Sequence, residues 1–289
     1  MTVGRIVLYV LAAALAGVMI GMLKTLPQNE MPPGDQPRQP VAAASISVRT
    51  APPSTTPPTS TTRTPSSTPE ALKDATPRPG PALPPGVPVR EQGEGWWRTV
   101  AGTTAQVGTG RVRTYSVEVE QGAVQPVAHQ AFAATVDATL ADPRGWTASG
   151  DVAFRRVDVA EPDVRIRLTA TETARATCGF DLPYDTSCYH EGVVYVSAPR
   201  WFRGAEAFAG DLEGYRRYLI NHEVGHFLGH GHEFCPADGA PAPVMMQQTF
   251  SVSNDGLAEI TATTPQGLTV PRDGRTCTAN PWPQQEVAR

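Results

Sequence analysis

No cysteine precedes Cys178. That absence excludes a thiol from the N-terminal part of the chain as a ligand or latch for anything held further on. Charge of one sign is also lacking: Lys and Arg number 24 and Asp and Glu 28, a net of −4. Such a balance points away from nucleic acid and from acidic surfaces as partners. There is no internal repeat, so a stacked-repeat architecture is excluded. No convincing small-x-small cleavage site follows the N-terminal apolar stretch, and few basic residues flank it.

That stretch runs from Ile6 to Leu23 between Arg5 and Lys24. It is about the minimum length for spanning a bilayer and longer than a usual signal-peptide core. Residues 1–24 are therefore read as a signal anchor, with a cleaved signal peptide as the alternative. The expected location is the cell membrane, single-pass with an extracellular domain, or the secreted fraction. Seventeen of the 29 prolines lie between Pro27 and Pro88, mixed with Thr and Ser. A segment of that composition buries too little apolar surface to offset the entropy of ordering, so residues 25–90 read as a linker. Residues 91–289 are long enough for one domain with a real core.

All four cysteines, Cys178, Cys188, Cys235 and Cys277, fall in that domain. An even number beyond a secretion signal suggests two disulfides. Cys178–Cys188 is expected as a local loop and Cys235–Cys277 as a clasp on the tail. Free buried thiols, or Cys235 as a metal ligand, are the rival readings. Period-two stretches predict strands at Val112–Glu120, Val152–Val157, Val164–Leu168 and Val193–Val196. Val127–Leu140 predicts a helix, and a second should run from Leu212 to Leu228 with Asp211 as its N-cap. On that second helix Ile220, Val224 and Phe227 should pack on the sheet. The fold class is α/β (α+β).

The second helix carries the chemistry. His222-Glu223-Val224-Gly225-His226-Phe227-Leu228-Gly229-His230-Gly231-His232 reads H-E-x-x-H-x-x-G-x-x-H. His222 and His226, four residues apart, share one helix face and can reach one metal ion. Gly229 can end the helix in the left-handed conformation and bring His232 back as a third ligand. The rival set, with His230 third on a continuous helix, spreads ligands over roughly 12 Å, too far for bonds of about 2.0 Å to one zinc. Three ligands leave a fourth position open, the mark of a catalytic zinc. Glu223 stands beside the ligand face as general base.

These residues resemble the long zinc motif of the metzincin clan of zinc peptidases. His222, His226 and His232 fall on its metal-ligand positions, Glu223 on the general base and Gly229 on the turn glycine. The resemblance implies a methionine turn beneath the metal, and Pro243-Val244-Met245-Met246-Gln247 is similar to it, with Met245 the better fit and Met246 the alternative. Gln247 and Gln248 stand where some members carry a tyrosine. The C-terminal region as a whole is similar to an uncharacterised family of secreted actinobacterial proteins with a predicted metzincin-type site. The resemblance implies a mixed sheet with an active-site helix, one catalytic zinc, and a peptide or protein substrate lying along an edge strand, for which Val193–Ser197 is the candidate. The activity implied is metalloendopeptidase. A non-proteolytic zinc-containing surface or wall-binding module, and an amidase acting on wall peptides, are the other readings. The chain is read as a monomer that meets a membrane only through its N-terminal helix.

Overall fold

The computed structural model describes residues 81–178, 184–262 and 269–284. The expected N-terminal helix, residues 1–24, and the linker up to residue 80 lie outside the described residues. Among the described residues no helix is long and apolar enough to cross a membrane.

The architecture is mixed α/β around one mixed sheet. Strands β1 (Trp97–Thr99), β2 (Arg111–Glu120), β3 (Val152–Arg156), β4 (Val164–Thr169), β5 (Cys188–His190) and β6 (Val193–Ser197) alternate with helices α1 (Val127–Ala141), α2 (Thr171–Cys178), α3 (Ala198–Arg203), α4 (Leu212–Phe227) and α5 (Asn254–Thr261). The sheet order is β1-β2-β4-β6-β5. The long β2 also pairs in parallel with β3 through its first half, and antiparallel with β1 through its end. β4 and β6 continue the parallel run, and β5 closes that side antiparallel to β6. Among the described residues the edge strand on that side is therefore β5. Val193–Ser197, expected at the edge, is the interior strand β6, and its Val194 and Val196 are fully buried. A strand covered on both sides reads as a continuous apolar run, and Val193-Val194-Tyr195-Val196 is one.

On the inner face Val117, Val119, Ile166, Leu168, Val194 and Val196 meet Phe132 and Val136 of α1 and Leu219, Ile220 and Val224 of α4 in one core. The other face is covered as well. Glu118 is buried there and accepts hydrogen bonds from Arg165 at 2.7 Å, Arg167 at 2.8 Å and Ser116 at 2.9 Å. Trp97 lies over this layer with the Arg167 guanidinium 4.3 Å from its ring centre. Burial by itself would raise the Glu118 pKa, but the hydrogen bonds from Arg167, Arg165 and Ser116 outweigh it and hold the carboxyl below its ordinary value.

The folded region begins earlier than composition suggests. Arg200 is fully buried. Its guanidinium donates to the carbonyls of Pro81, Ala82, Asp185 and Gly204. Residues 81–90, proline-rich and assigned to the linker, are thus strapped to the domain through backbone oxygens, which proline retains. Both disulfides are present with the expected partners, Cys178–Cys188 and Cys235–Cys277. The thiols are therefore neither free nor metal ligands.

Two outcomes follow. A chain starting at residue 91 should be less stable than one starting at residue 81 by about 2–3 kcal/mol, because a buried cation loses acceptors; equal urea midpoints would refute the strap. Replacing Glu118 by Gln should cost about 2–4 kcal/mol at neutral pH, less than a fully buried pair because Arg165 reaches solvent. The folded pKa is lowered, so this contribution is present above the unfolded value of about 4.3 and is lost as pH falls through the folded one. Urea titrations of both proteins from pH 7 to pH 3 should converge.

Candidate metal centre

Helix α4 opens at Asp211, whose side chain accepts from the Gly214 N–H at 2.9 Å. It runs to Phe227, with Leu228 as cap. Ile220 and Val224 are fully buried against the sheet, as expected. Phe227 is half-buried, between the Arg113 guanidinium at 5.4 Å and the ring of Tyr189.

The helix ends in a Schellman turn. The Gly229 N–H bonds to His226 O and the His230 N–H to Gly225 O, each at 3.0 Å. Gly229 sits at φ 96°, a conformation that glycine adopts without steric cost. The turn sends the chain back, and His232 meets the two helical histidines. One ring nitrogen from each of His222, His226 and His232 lies within 4.8 Å of the others. His226 Nε2 and His232 Nε2 are 3.1 Å apart. Two nitrogens bound tetrahedrally to one zinc at about 2.0–2.1 Å would stand roughly 3.3 Å apart. The set could hold a metal ion.

On the two helical histidines the other ring nitrogen is engaged by a backbone carbonyl. His222 Nδ1 is 2.9 Å from Val244 O, and His226 Nδ1 is 2.9 Å from His230 O. Each can only donate to a carbonyl, which fixes a tautomer with the Nε2 lone pair turned inward, the usual support of a metal-bound histidine. Burial lowers the pKa of His222 and of His226, and burial with the nearby His226 brings His232 down to about 4. All three imidazoles are neutral at pH 7, as ligation requires. His230 stands apart, its ring stacked on Trp146 with centres 4.5 Å apart. Glu223 is buried, and that burial pushes its carboxyl up to about 8.

Of the two candidate methionines, Met245 is the one that packs against α4 at Gly225. A Cβ built on Gly225 would stand 2.3 Å from Met245 Sδ and 2.8 Å from Trp146 Cζ2. Met246 instead joins a second core with Cys235, Phe250, Leu257 and Cys277. Sequence reasoning missed Gly225, although a glycine in mid-helix costs about 1 kcal/mol and calls for a packing reason. It also missed Tyr218, whose hydroxyl donates to Met246 O and accepts from the Gln248 N–H, both at 2.9 Å. The tail then locks the turn. Gln248 exchanges hydrogen bonds with the Asn280 backbone, and Asn221 donates to Pro281 O.

Fold and site together define a mixed α/β domain with a three-histidine centre able to hold a metal ion. Residues 83–285 match the family described as protein of unknown function (DUF3152), and the chain belongs to that family. No curated protein and no solved structure matches it.

Gly225→Ala should force Met245 or α4 to move. The expected result is a loss of about 1–3 kcal/mol in thermal unfolding, with metal affinity reduced at least ~10-fold, the effect of disturbing ligand support. A variant that binds metal as tightly as the parent would show that the seat is not needed.

Proposed function

We propose that the chain is a zinc-dependent peptidase of the metzincin type that acts outside the cytoplasm. The observation that carries this reading is the convergence of His222, His226 and His232 with a buried carboxyl, Glu223, next to the first of them. The donor set fits zinc: three neutral imidazoles, two of them oriented by carbonyls, the ligand count of a catalytic site. A zinc ion bound there would supply a Lewis acid for an amide carbonyl and for water.

The chain's own residues supply the rest. Glu223 follows His222 by one residue, about 100° round the helix, which places its carboxylate beside the ligand face. From there it takes a proton from the attacking water and delivers it to the leaving amine nitrogen. Burial alone raises this carboxyl to about 8; a cation held by the histidines would lower it again and favour the carboxylate that accepts the proton. Val244 O and His230 O hold the imidazoles still while charge moves. β5 pairs only with β6 among the described strands. Its other edge offers backbone groups to an extended peptide, a mode that favours main chain over side chain. The two disulfides support an oxidising compartment.

The test is hydrolysis by the full chain of casein and of a mixed peptide library, with metal content measured alongside. Glu223→Gln should keep one zinc per chain and lose at least ~10²–10⁴-fold in rate. A chelator should abolish the parent's activity. Bound metal with no chelator-sensitive cleavage would overturn the peptidase in favour of a metal-holding binding module.

A further inference from the structure

A second cleft opens on the opposite flank of α4 from Glu223. It has a volume of about 320 Å³ and is lined by Arg111, Arg113, Trp146, Asp151, Leu228 and His230. Helix geometry separates it from the metal. Leu228 follows His226 by two residues, about 200° round the axis, and Asn221, which holds Trp146, precedes His222 by one. Trp146 donates its indole N–H to Asn221 O at 3.0 Å, which fixes the wall of the cleft to the back of the metal helix.

The lining is uneven in charge. Arg111 and Arg113 lie two residues apart on β2, so both side chains point to the same face of the sheet. Among the described residues neither has an ion pair. Asp163 Oδ2 accepts from the backbone N–H and hydroxyl of Thr114, both at 2.6 Å, and its charge is felt by both arginines from outside the cleft lining. Asp151, exposed at the mouth, is one negative charge against two positive ones. The same cleft is lined by a flat stacked pair of rings. The His230 ring stacks on Trp146 with an interplanar angle of 22°, and His230 is exposed, so its outer face is open.

We propose that this cleft binds an organic carboxylate with a flat body. The carboxylate lies between Arg111 and Arg113, whose planar forks suit it. The body lies on the outer face of His230, and a cleft of this volume takes a ligand of drug-fragment size. The ligand would touch the metal centre indirectly, because the backbone oxygen of His230 is the partner of His226 Nδ1. The site needs no hydrolytic activity to exist.

The test is calorimetric titration of the full chain with hippurate, which carries one ring and one carboxylate, and with hippuramide, which lacks the charge. Hippurate should bind at least ~10-fold tighter than hippuramide, as charge-assisted bidentate contacts require. Arg111→Ala with Arg113→Ala should erase that difference. Arg111→Gln alone, at an exposed position, should reduce it should the double variant fail to fold. His230→Ala should weaken hippurate by about 5-fold while acetate, used as a bodiless probe, is unaffected. Chelator should leave hippurate binding in place. Three results would overturn the proposal: no hippurate binding, binding kept by the arginine variants, or binding lost with the metal, which would put the carboxylate on the histidines instead.

Discussion

The seat of Met245 against Gly225 joins the two pieces of chain that make the centre. One piece is α4, with His222, Glu223 and His226. The other is the returning segment with His232, Glu233 and Met245. A side chain at residue 225 would hold them apart, since the methionine sulfur occupies the space a Cβ would take. Once the pieces touch, three successive carbonyls of the turn find partners on or near the helix. Val244 O faces His222 Nδ1, Met245 O takes the Glu233 N–H, and Met246 O takes the Tyr218 hydroxyl. Packing sets the distance and hydrogen bonds set the orientation, the division of labour that a preorganised centre needs.

The electrostatics of the centre follow from that packing. Three imidazoles and a carboxyl are drawn out of water with no charged partner among the described residues. Each is driven to its neutral form, His222 and His226 well or partly below the ordinary histidine value, His232 to about 4, and Glu223 up to about 8. His226 Nδ1 faces a carbonyl, so its Nε2 presents a lone pair to His232 Nε2 at 3.1 Å. Two bare lone pairs at that separation repel, so a proton or a cation has to lie between them. A cation held by the three histidines would satisfy all three nitrogens where one proton satisfies two.

The long-period features were legible in the sequence. The i, i+4 histidines, the glycine that turns the chain and the N-cap Asp211 are local signals with local causes, and the structure places them as read. So were the cysteine pairings, where one short loop and one long clasp were the simplest closure. Other features depend on what comes from far along the chain. The three residues of β5 are too few to show a period, and their partner strand looked like an edge because nothing local says what flanks it. Nothing local in Val117-Glu118-Val119-Glu120 says that both carboxylates are buried: the Gly95 N–H donates to Glu120, and Arg165 and Arg167 supply the countercharge to Glu118. Residues 81–90 read as linker by their prolines, but Arg200 recruits carbonyls, which composition does not weigh.

The same reasoning explains why the part of the chain after α4 needs its disulfide. Among the described residues that part contributes no strand to the sheet and holds one short helix, α5. Its backbone groups are met by isolated bridges, such as Ser253 with Thr276, and by amide side chains. Asn254 both accepts from Cys235 N and donates to Cys235 O, and Gln248 does the same for the backbone of Asn280. Such side-chain ladders carry less cooperativity than a strand, and the second core they surround is small. The Cys235–Cys277 bridge spans 42 residues. Closing a loop of that length removes about 4 kcal/mol of unfolded-state entropy on the chain-entropy account. His232 sits three residues before Cys235, on this weaker side of the centre. His232 is therefore tied to a segment closed by a bond that forms only under oxidising conditions.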